Sequence, residues 1–353
     1  MTETSFAPRW ASPPAETIKE ALLEQGLSVE DLADRSGLSD AAARALVTGE
    51  SSITPDLADS LAAAIGSTRE FWLNREARYQ EALNLVTADN FVQLLPKSHV
   101  NSLGWLALDD DWRASAHAFL EYFDLQIADQ WTGLYGAARF RQSATFSSNQ
   151  AEVAVWLRQG EIEAKNLGVG PWSPTRFREA LADARTLTKL RDPREFIPKL
   201  QALFGRAGVA LAVVRAPEGC KMSGAALRNR DGTRLIVVSA RYLVDDHFWF
   251  TVFHEAAHML LHDSSHAVLD ELETPSESVL EVEANELARE LLVPASLEFE
   301  SLTYRAVAGW ASQLGIAPGV LVGQLQHDGR VPHSQLNKLK RWYRWDGGTL
   351  VPK

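Results

Sequence analysis

The chain has 353 residues, 46% of them hydrophobic, which is enough for two or three domains with their own cores. A single cysteine excludes an intramolecular disulfide framework, and a net charge of −11 argues against broad, non-specific nucleic-acid binding. There is no uninterrupted apolar run of about 18 residues and no basic-then-apolar leader, so a cytoplasmic protein with no membrane partner is expected.

Residues 1–13, rich in Pro and Ser, read as a flexible arm. From Pro14 the spacing of Ile18, Ala21 and Leu22 predicts a helix that Gly26 closes. Ser28, with Asp31 three residues on, reads as a helix N-cap, and Gly37 permits a tight turn. Ser39 caps a second short helix running to about Thr48. With apolar Leu32, Ala33, Leu38, Ala43 and Leu46, the two short helices form a helix-turn-helix candidate. Thr54-Pro55 opens a further helix, followed by Ser67–Arg75.

Residues 14–80 resemble the HigA-type antitoxins of the XRE helix-turn-helix class, notably in Ile53-Thr-Pro55 and Glu70-Phe-Trp-Leu-Asn74. The resemblance implies a homodimer that binds operator DNA and a toxin-system partner. The expected recognition helix begins Asp40-Ala-Ala-Ala-Arg44, which leaves Ser39 and Arg44 as its DNA-contacting candidates. Residues 1–75 carry 12 acidic and 6 basic side chains, a balance of −6 where phosphate contact calls for the opposite sign. Operator binding and a purely protein-binding or dimerising role both stay open.

Residues 81–170 read as a helical connector with helices at Leu103–Ala107, Ala116–Phe123 and Gln150–Ala164, and Leu167-Gly-Val-Gly-Pro-Trp172 marks its end. Residues 171–353 then form the last domain. Helices are expected near Pro174–Thr186 and Asp192–Ala207, then a buried strand at Val209–Arg215. Met222–Arg228 and Leu235–Ser239 read as a hairpin around Asn229-Arg-Asp-Gly232, its second strand an edge open to extended substrate. The basic run Lys338–Arg344 reads as a solvated amphipathic end.

The chemistry centres on Thr251-Val-Phe-His-Glu-Ala-Ala-His-Met-Leu-Leu-His262. On a helix with His254 at zero, His258 falls near about 40°, His262 near about 80° and Glu255 near about 100°, with apolar residues elsewhere. Imidazoles at i and i+4 can share one Zn²⁺ at roughly 2.0–2.1 Å. Glu255 cannot reach that ion from the same helix but can act as general base toward a water bound there. A third ligand is expected from Glu281–Pro294. There Glu281 shares a face with Ala284, Leu287, Ala288, Leu291 and Leu292, whereas Glu283, Glu286 and Glu290 point to solvent. Asn285 and His262 are expected to support the ligands from behind.

His254-Glu-x-x-His258, with Glu281-x-x-Ala-Asn285 running into Leu291-Leu-Val-Pro294, resembles the ImmA/IrrE metallopeptidases over roughly residues 170–345. The usual pattern has Gly before the second His, and here Ala257 stands instead. The resemblance implies a gluzincin-type zinc-peptidase domain with a small sheet, whose known substrates include helix-turn-helix repressors. The whole is then an α+β, mainly helical chain. Cys220 is a candidate fourth zinc ligand in a cysteine switch, against an ordinary loop cysteine. Tyr242, His247 and His327 are alternatives for stabilising an oxyanion. The leading function is a regulatory zinc endopeptidase cleaving a protein partner. The alternative is a non-proteolytic repressor or antitoxin with a structural or sensory metal site.

Overall fold

The computed structural model describes residues 9–135, 148–262, 268–270, 279–294, 299 and 301–353, with the backbone alone at 148–149 and 268–270. Its helices run α1 (Pro14–Gln25), α2 (Val29–Ser36), α3 (Asp40–Thr48), α4 (Pro55–Ile65), α5 (Arg69–Val92) and α6 (Lys97–Ser102). Next come α7 (Trp112–Phe123), α8 (Gln130–Tyr135), α9 (Ser148–Ala164), α10 (Pro174–Leu187) and α11 (Pro193–Arg206). Strands β1 (Val209–Val213), β2 (Gly224–Arg228) and β3 (Arg234–Val238) precede α12 (Asp245–Leu261) and β4 (Val268–Asp270). Helices α13 (Val279–Leu292), α14 (Tyr304–Leu314) and α15 (Pro318–His327) lead to the hairpin β5 (Tyr343–Asp346) and β6 (Thr349–Pro352). No single helix among the described residues is long and apolar enough to cross a membrane.

By packing the chain divides into two units, one from Met1–Gln93 with Ala107–Trp131, the other from Leu94–Leu106 with Thr132–Lys353. In the first, the expected helix starts are made by local hydrogen bonds. Ser28 Oγ accepts from Asp31 N–H at 3.0 Å while Asp31 Oδ2 accepts from Ser28 N–H at 2.8 Å. Ser39 and Thr54 cap α3 and α4 in the same way. Gly37, at φ 72°, makes the turn between α2 and α3 that a β-carbon would strain. Ile18, Leu32, Ala43, Leu46, Leu61, Ile65 and Trp72 close one core, confirming the helix-turn-helix reading. Of the expected arm, residues 1–8 lie outside the described residues.

The segment expected as a connector, 81–170, is divided between the units. Helix α5 runs unbroken through residue 80. Phe91 on α5, Phe119 and Phe123 on α7 and Trp131 then gather in a cluster with ring centroids 4.6–6.0 Å apart. The helix expected at Leu103–Ala107 is instead a turn and extended chain: α6 stops at Ser102, and Gly104 takes φ 69°. Helix α9 belongs to the second unit. Val155, Trp156 and Leu157 are at most 1% exposed, and Trp156 Nε1 donates to Val214 O at 3.0 Å. Its charged residues Arg158 and Glu161 are buried too and pair with each other at 2.9 Å, so the helix is a buried element rather than a solvated spacer.

The sheet of the second unit has the order β1-β3-β2-β4. Strands β2 and β3 form the expected antiparallel hairpin, but β3 also pairs in parallel with β1. The strand before α12 is therefore central rather than an edge open to substrate, both of its hydrogen-bonding sides being taken, while β4 pairs with the far side of β2. The basic run at the C-terminal side is not a solvated end either. Tyr343 is 1% exposed in β5, Lys340 Nζ meets Asp246 Oδ2 at 2.6 Å, and Arg341 N–H donates to Asp245 Oδ1 at 3.0 Å.

Candidate metal centre

Helix α12 is the central rod of the second unit. Phe248, Trp249, Val252, Phe253, Ala256 and Met259 face the hydrophobic core, and Asp245 and Asp246 begin the helix where its dipole favours negative charge. Burial raises the Asp245 pKa to about 7, against its hydrogen bond from the Arg341 N–H, with the nearby Asp246 charge adding to the rise. The ordinary value is 3.8, so between there and about 7 the folded chain holds a proton that the unfolded chain has released. Stability therefore falls as pH rises through that window. Urea unfolding at pH 4.5 and 8 should show this loss, on the order of 2–4 kcal/mol as an upper range, and Asp245→Asn should flatten it. An unchanged slope in the variant would assign the pH dependence to other groups.

The polar stripe of α12 is deeply buried: His254 is 1% exposed, and His258 and Glu255 are 0% exposed. Helix α13 lies against it through small residues, with Ala256, Ala257, Ala284 and Ala288 all fully buried. That close approach brings Glu281 to the stripe. Its Oε2 lies 3.3 Å from His254 Nε2 and its Oε1 lies 3.3 Å from His258 Nε2, and the two imidazole nitrogens are 3.0 Å apart. The expected face of α13 holds: Ala284, Ala288 and Leu292 are buried while Glu283, Glu286 and Glu290 are exposed.

Four liganding atoms at tetrahedral corners, each roughly 2.0–2.1 Å from Zn²⁺, would stand about 3.3–3.4 Å apart. The two imidazole nitrogens stand 3.0 Å apart and each lies 3.3 Å from a different oxygen of the Glu281 carboxylate, so three donor groups converge within the reach of one ion. The 3.3 Å separations are long for direct ion pairing, since charge-assisted N–H···O bonds run about 2.7–2.9 Å. Protonation fits too. Burial lowers the His258 pKa and favours the neutral ring. Burial opposes ionisation of Glu281, but its hydrogen bonds to His254 and His258 outweigh that and hold its pKa at about 2. Neutral imidazole and ionised carboxylate are the forms a divalent metal binds. Among the described residues, these three side chains form the group suited to hold an ion.

The remaining sequence candidates fall around this group in different ways. His262 ends α12, and its Nε2 donates to the carbonyl of Leu280, the residue before Glu281, at 3.2 Å. Asn285 is half-buried one turn beyond Glu281. Cys220 is buried in a turn closed by its N–H to Pro217 O at 3.1 Å, and the donor group does not include it. The chain reaches α12 four residues later, at Gly224. Tyr242 and His247 pack against each other with ring centroids 4.3 Å apart and planes tilted by 36°. The Phe250 ring lies 5.9 Å from His254 and 6.4 Å from His327, and the Arg289 guanidinium donates to His327 Nε2.

Gly224 and Arg289 were not singled out from the sequence. A β-carbon at Gly224 would run into Glu255 Oε1 and come within 2.7 Å of Glu255 Cγ and Thr251 Cγ2. A lone glycine inside a strand was the available sign of such an approach. Gly224→Ala must push Glu255 or β2 aside and should cost about 1–3 kcal/mol, read as a lower thermal midpoint. An unchanged midpoint would show that β2 has room to retreat.

The description "IrrE N-terminal-like domain" (Peptidase_M78) matches residues 212–306, which contain all three converging side chains. A helix-turn-helix model (HTH_3) matches residues 18–72. An uncharacterized HTH-type transcriptional regulator, YddM of Escherichia coli (strain K12), is 32% identical over 81 residues, which is 23% of this chain and 82% of that protein. The chain carries an IrrE-like peptidase-family domain and an XRE-type helix-turn-helix domain. It thus joins a helix-turn-helix domain to a peptidase-family domain. In the XRE-type domain, Ser39 is the N-cap of α3, accepting from Ala42 N–H, and Arg44 pairs with Glu30 at 2.5 Å. That carboxylate competes with any phosphate for the Arg44 guanidinium.

Proposed function

We propose that this ImmA/IrrE-like chain is a cytoplasmic zinc endopeptidase of the gluzincin type, with a protein partner of regulatory kind as its substrate. The observation that carries the reading is the convergence of His254, His258 and Glu281, whose donor atoms lie within 4.8 Å of one another beside a fully buried Glu255. Zinc held there would supply a Lewis acid and lower the pKa of a water at its open position. Glu255 takes the proton from the attacking water at its carboxylate and delivers it to the departing amine. The wall at Gly224 keeps that carboxylate in place. His262, through the Leu280 carbonyl, orients the start of α13 and with it Glu281. For the oxyanion we favour His327, whose ring shares Phe250 with His254 and is held by Arg289.

Metal analysis of chain purified without added zinc, and co-expression with the product of the neighbouring open reading frame, test this reading together. About one zinc per chain and chelator-sensitive cleavage of the partner are expected. Metal-free, fully folded protein would overturn it. The helix-turn-helix fold and its likeness to a transcriptional regulator favour a second activity, operator binding by a dimer. A shift of promoter DNA abolished by Arg44→Ala would support it, and with no cleavage at all would favour the repressor reading over the peptidase.

A further inference from the structure

Far along the chain from the metal ligands, a surface cavity of about 600 Å³ is lined by Arg191, Lys340, Arg341, Trp342, Pro352 and Lys353. Four of these six side chains are basic and none is acidic, in a chain whose net charge is −11. The four cations are not equally engaged. Lys340 is neutralised by Asp246 at 2.6 Å, and Arg341 Nη1 donates to the carbonyls of Thr188, Lys189 and Leu190 at 2.9–3.1 Å. Arg191 and Lys353 are exposed and, among the described residues, make no ion pair. The neighbouring carboxylate, Asp192, is held by Arg194 at 2.6 Å.

The same lining includes Trp342, which is 50% exposed. Its backbone is fixed on two sides: it bridges to Val244, and its carbonyl accepts the Lys353 N–H at 2.9 Å. An exposed aromatic ring on a tethered backbone, in one lining with two cations that make no ion pair among the described residues, is what a base bearing phosphates requires, stacking on the ring while the charges take the phosphates. A basin of this volume lies within the roughly 300–1,000 Å³ of small-molecule sites.

We propose that this cavity binds a nucleotide, with its base on Trp342 and its phosphates on Arg191 and Lys353. The same wall grips the first turn of α12, since Asp245 N–H donates to Arg341 O at 2.9 Å and Arg341 N–H returns to Asp245 Oδ1 at 3.0 Å. The cavity wall is thus continuous with the first turn of the helix that carries His254 and His258.

Calorimetric titration of the full chain with ADP tests the assignment, with adenosine, inorganic phosphate and a single-stranded dodecanucleotide as comparators. Saturable binding of one ADP per chain is expected, persisting in EDTA and raising the thermal midpoint. Adenosine and inorganic phosphate should each bind at least about 10-fold more weakly, and Trp342→Ala should weaken ADP by about 10-fold or more. Arg191→Glu and the milder Arg191→Gln should weaken ADP in that order, with unchanged circular dichroism. Absence of ADP binding overturns the proposal, as does affinity indifferent to Arg191 and Trp342. Binding lost in EDTA assigns the nucleotide to the metal group, and tighter binding of the dodecanucleotide assigns the cavity to nucleic acid; either outcome also overturns it.

Discussion

Glu255→Gln is expected to keep its zinc and to cleave the protein partner about 10²–10⁴-fold more slowly than the parent chain. The two halves of that expectation come from separate features. Glu255 lies outside the three-residue donor group, so an isosteric amide leaves the ligands untouched. It is also 0% exposed and confined by Gly224 and Thr251, so the amide keeps the position of the carboxylate without its basicity. A glutamine cannot accept the water proton, and no hydrolysis step proceeds through it. Single-turnover cleavage, with zinc measured on the same preparation, separates the outcomes. Parental cleavage would remove Glu255 from the chemistry, whereas lost zinc would make it a structural prop.

Glu281→Ala should lose zinc affinity by more than the roughly 10–100-fold that removal of an outer partner costs. It deletes a direct donor and leaves two buried imidazoles facing each other at 3.0 Å. Competition with a zinc-chelating dye measures the loss, and Glu283→Ala, on an exposed side chain of the same helix, should scarcely change it. Equal effects from both would mean that α13 contributes general charge rather than a ligand. In metal-free protein the lowered Glu281 pKa has a second consequence. Its stabilising contribution is present above the ordinary value of 4.5 and is lost as pH falls toward about 2. Acid unfolding of the metal-free parent should therefore be steeper over that range than that of Glu281→Ala.

The features legible beforehand were those set by neighbours along the chain. The caps at Ser28 and Ser39 need a side-chain oxygen three residues from an open N–H, and the i, i+4 histidines need one helical turn. The inward face of Glu281 follows from where Ala284, Ala288 and Leu292 recur. The divided connector was not legible. Helix α9 buries apolar and charged side chains alike, so periodicity cannot name the sheet it covers, and α5 carries no break where a boundary was placed. Placing the last strand before α12 at an edge failed for a related reason. A hairpin pattern specifies its partner across the turn, but the parallel pairing of β3 with β1 depends on chain more than 20 residues away.

What the amino-acid order determined by itself, then, is the helix bearing His254, Glu255 and His258, the face that Glu281 occupies, and the short capped helices of the XRE-type domain. These rest on hydrogen bonds and spacings within a few turns of backbone. Tertiary structure decided that α13 comes close enough for Glu281 to meet both imidazoles, that Gly224 rather than Cys220 abuts the site, and that Lys340 and Arg341 clamp the first turn of α12. Those contacts join segments far apart in the chain. Their geometry comes from how alanine and glycine faces let whole elements pack, which local periodicity does not encode.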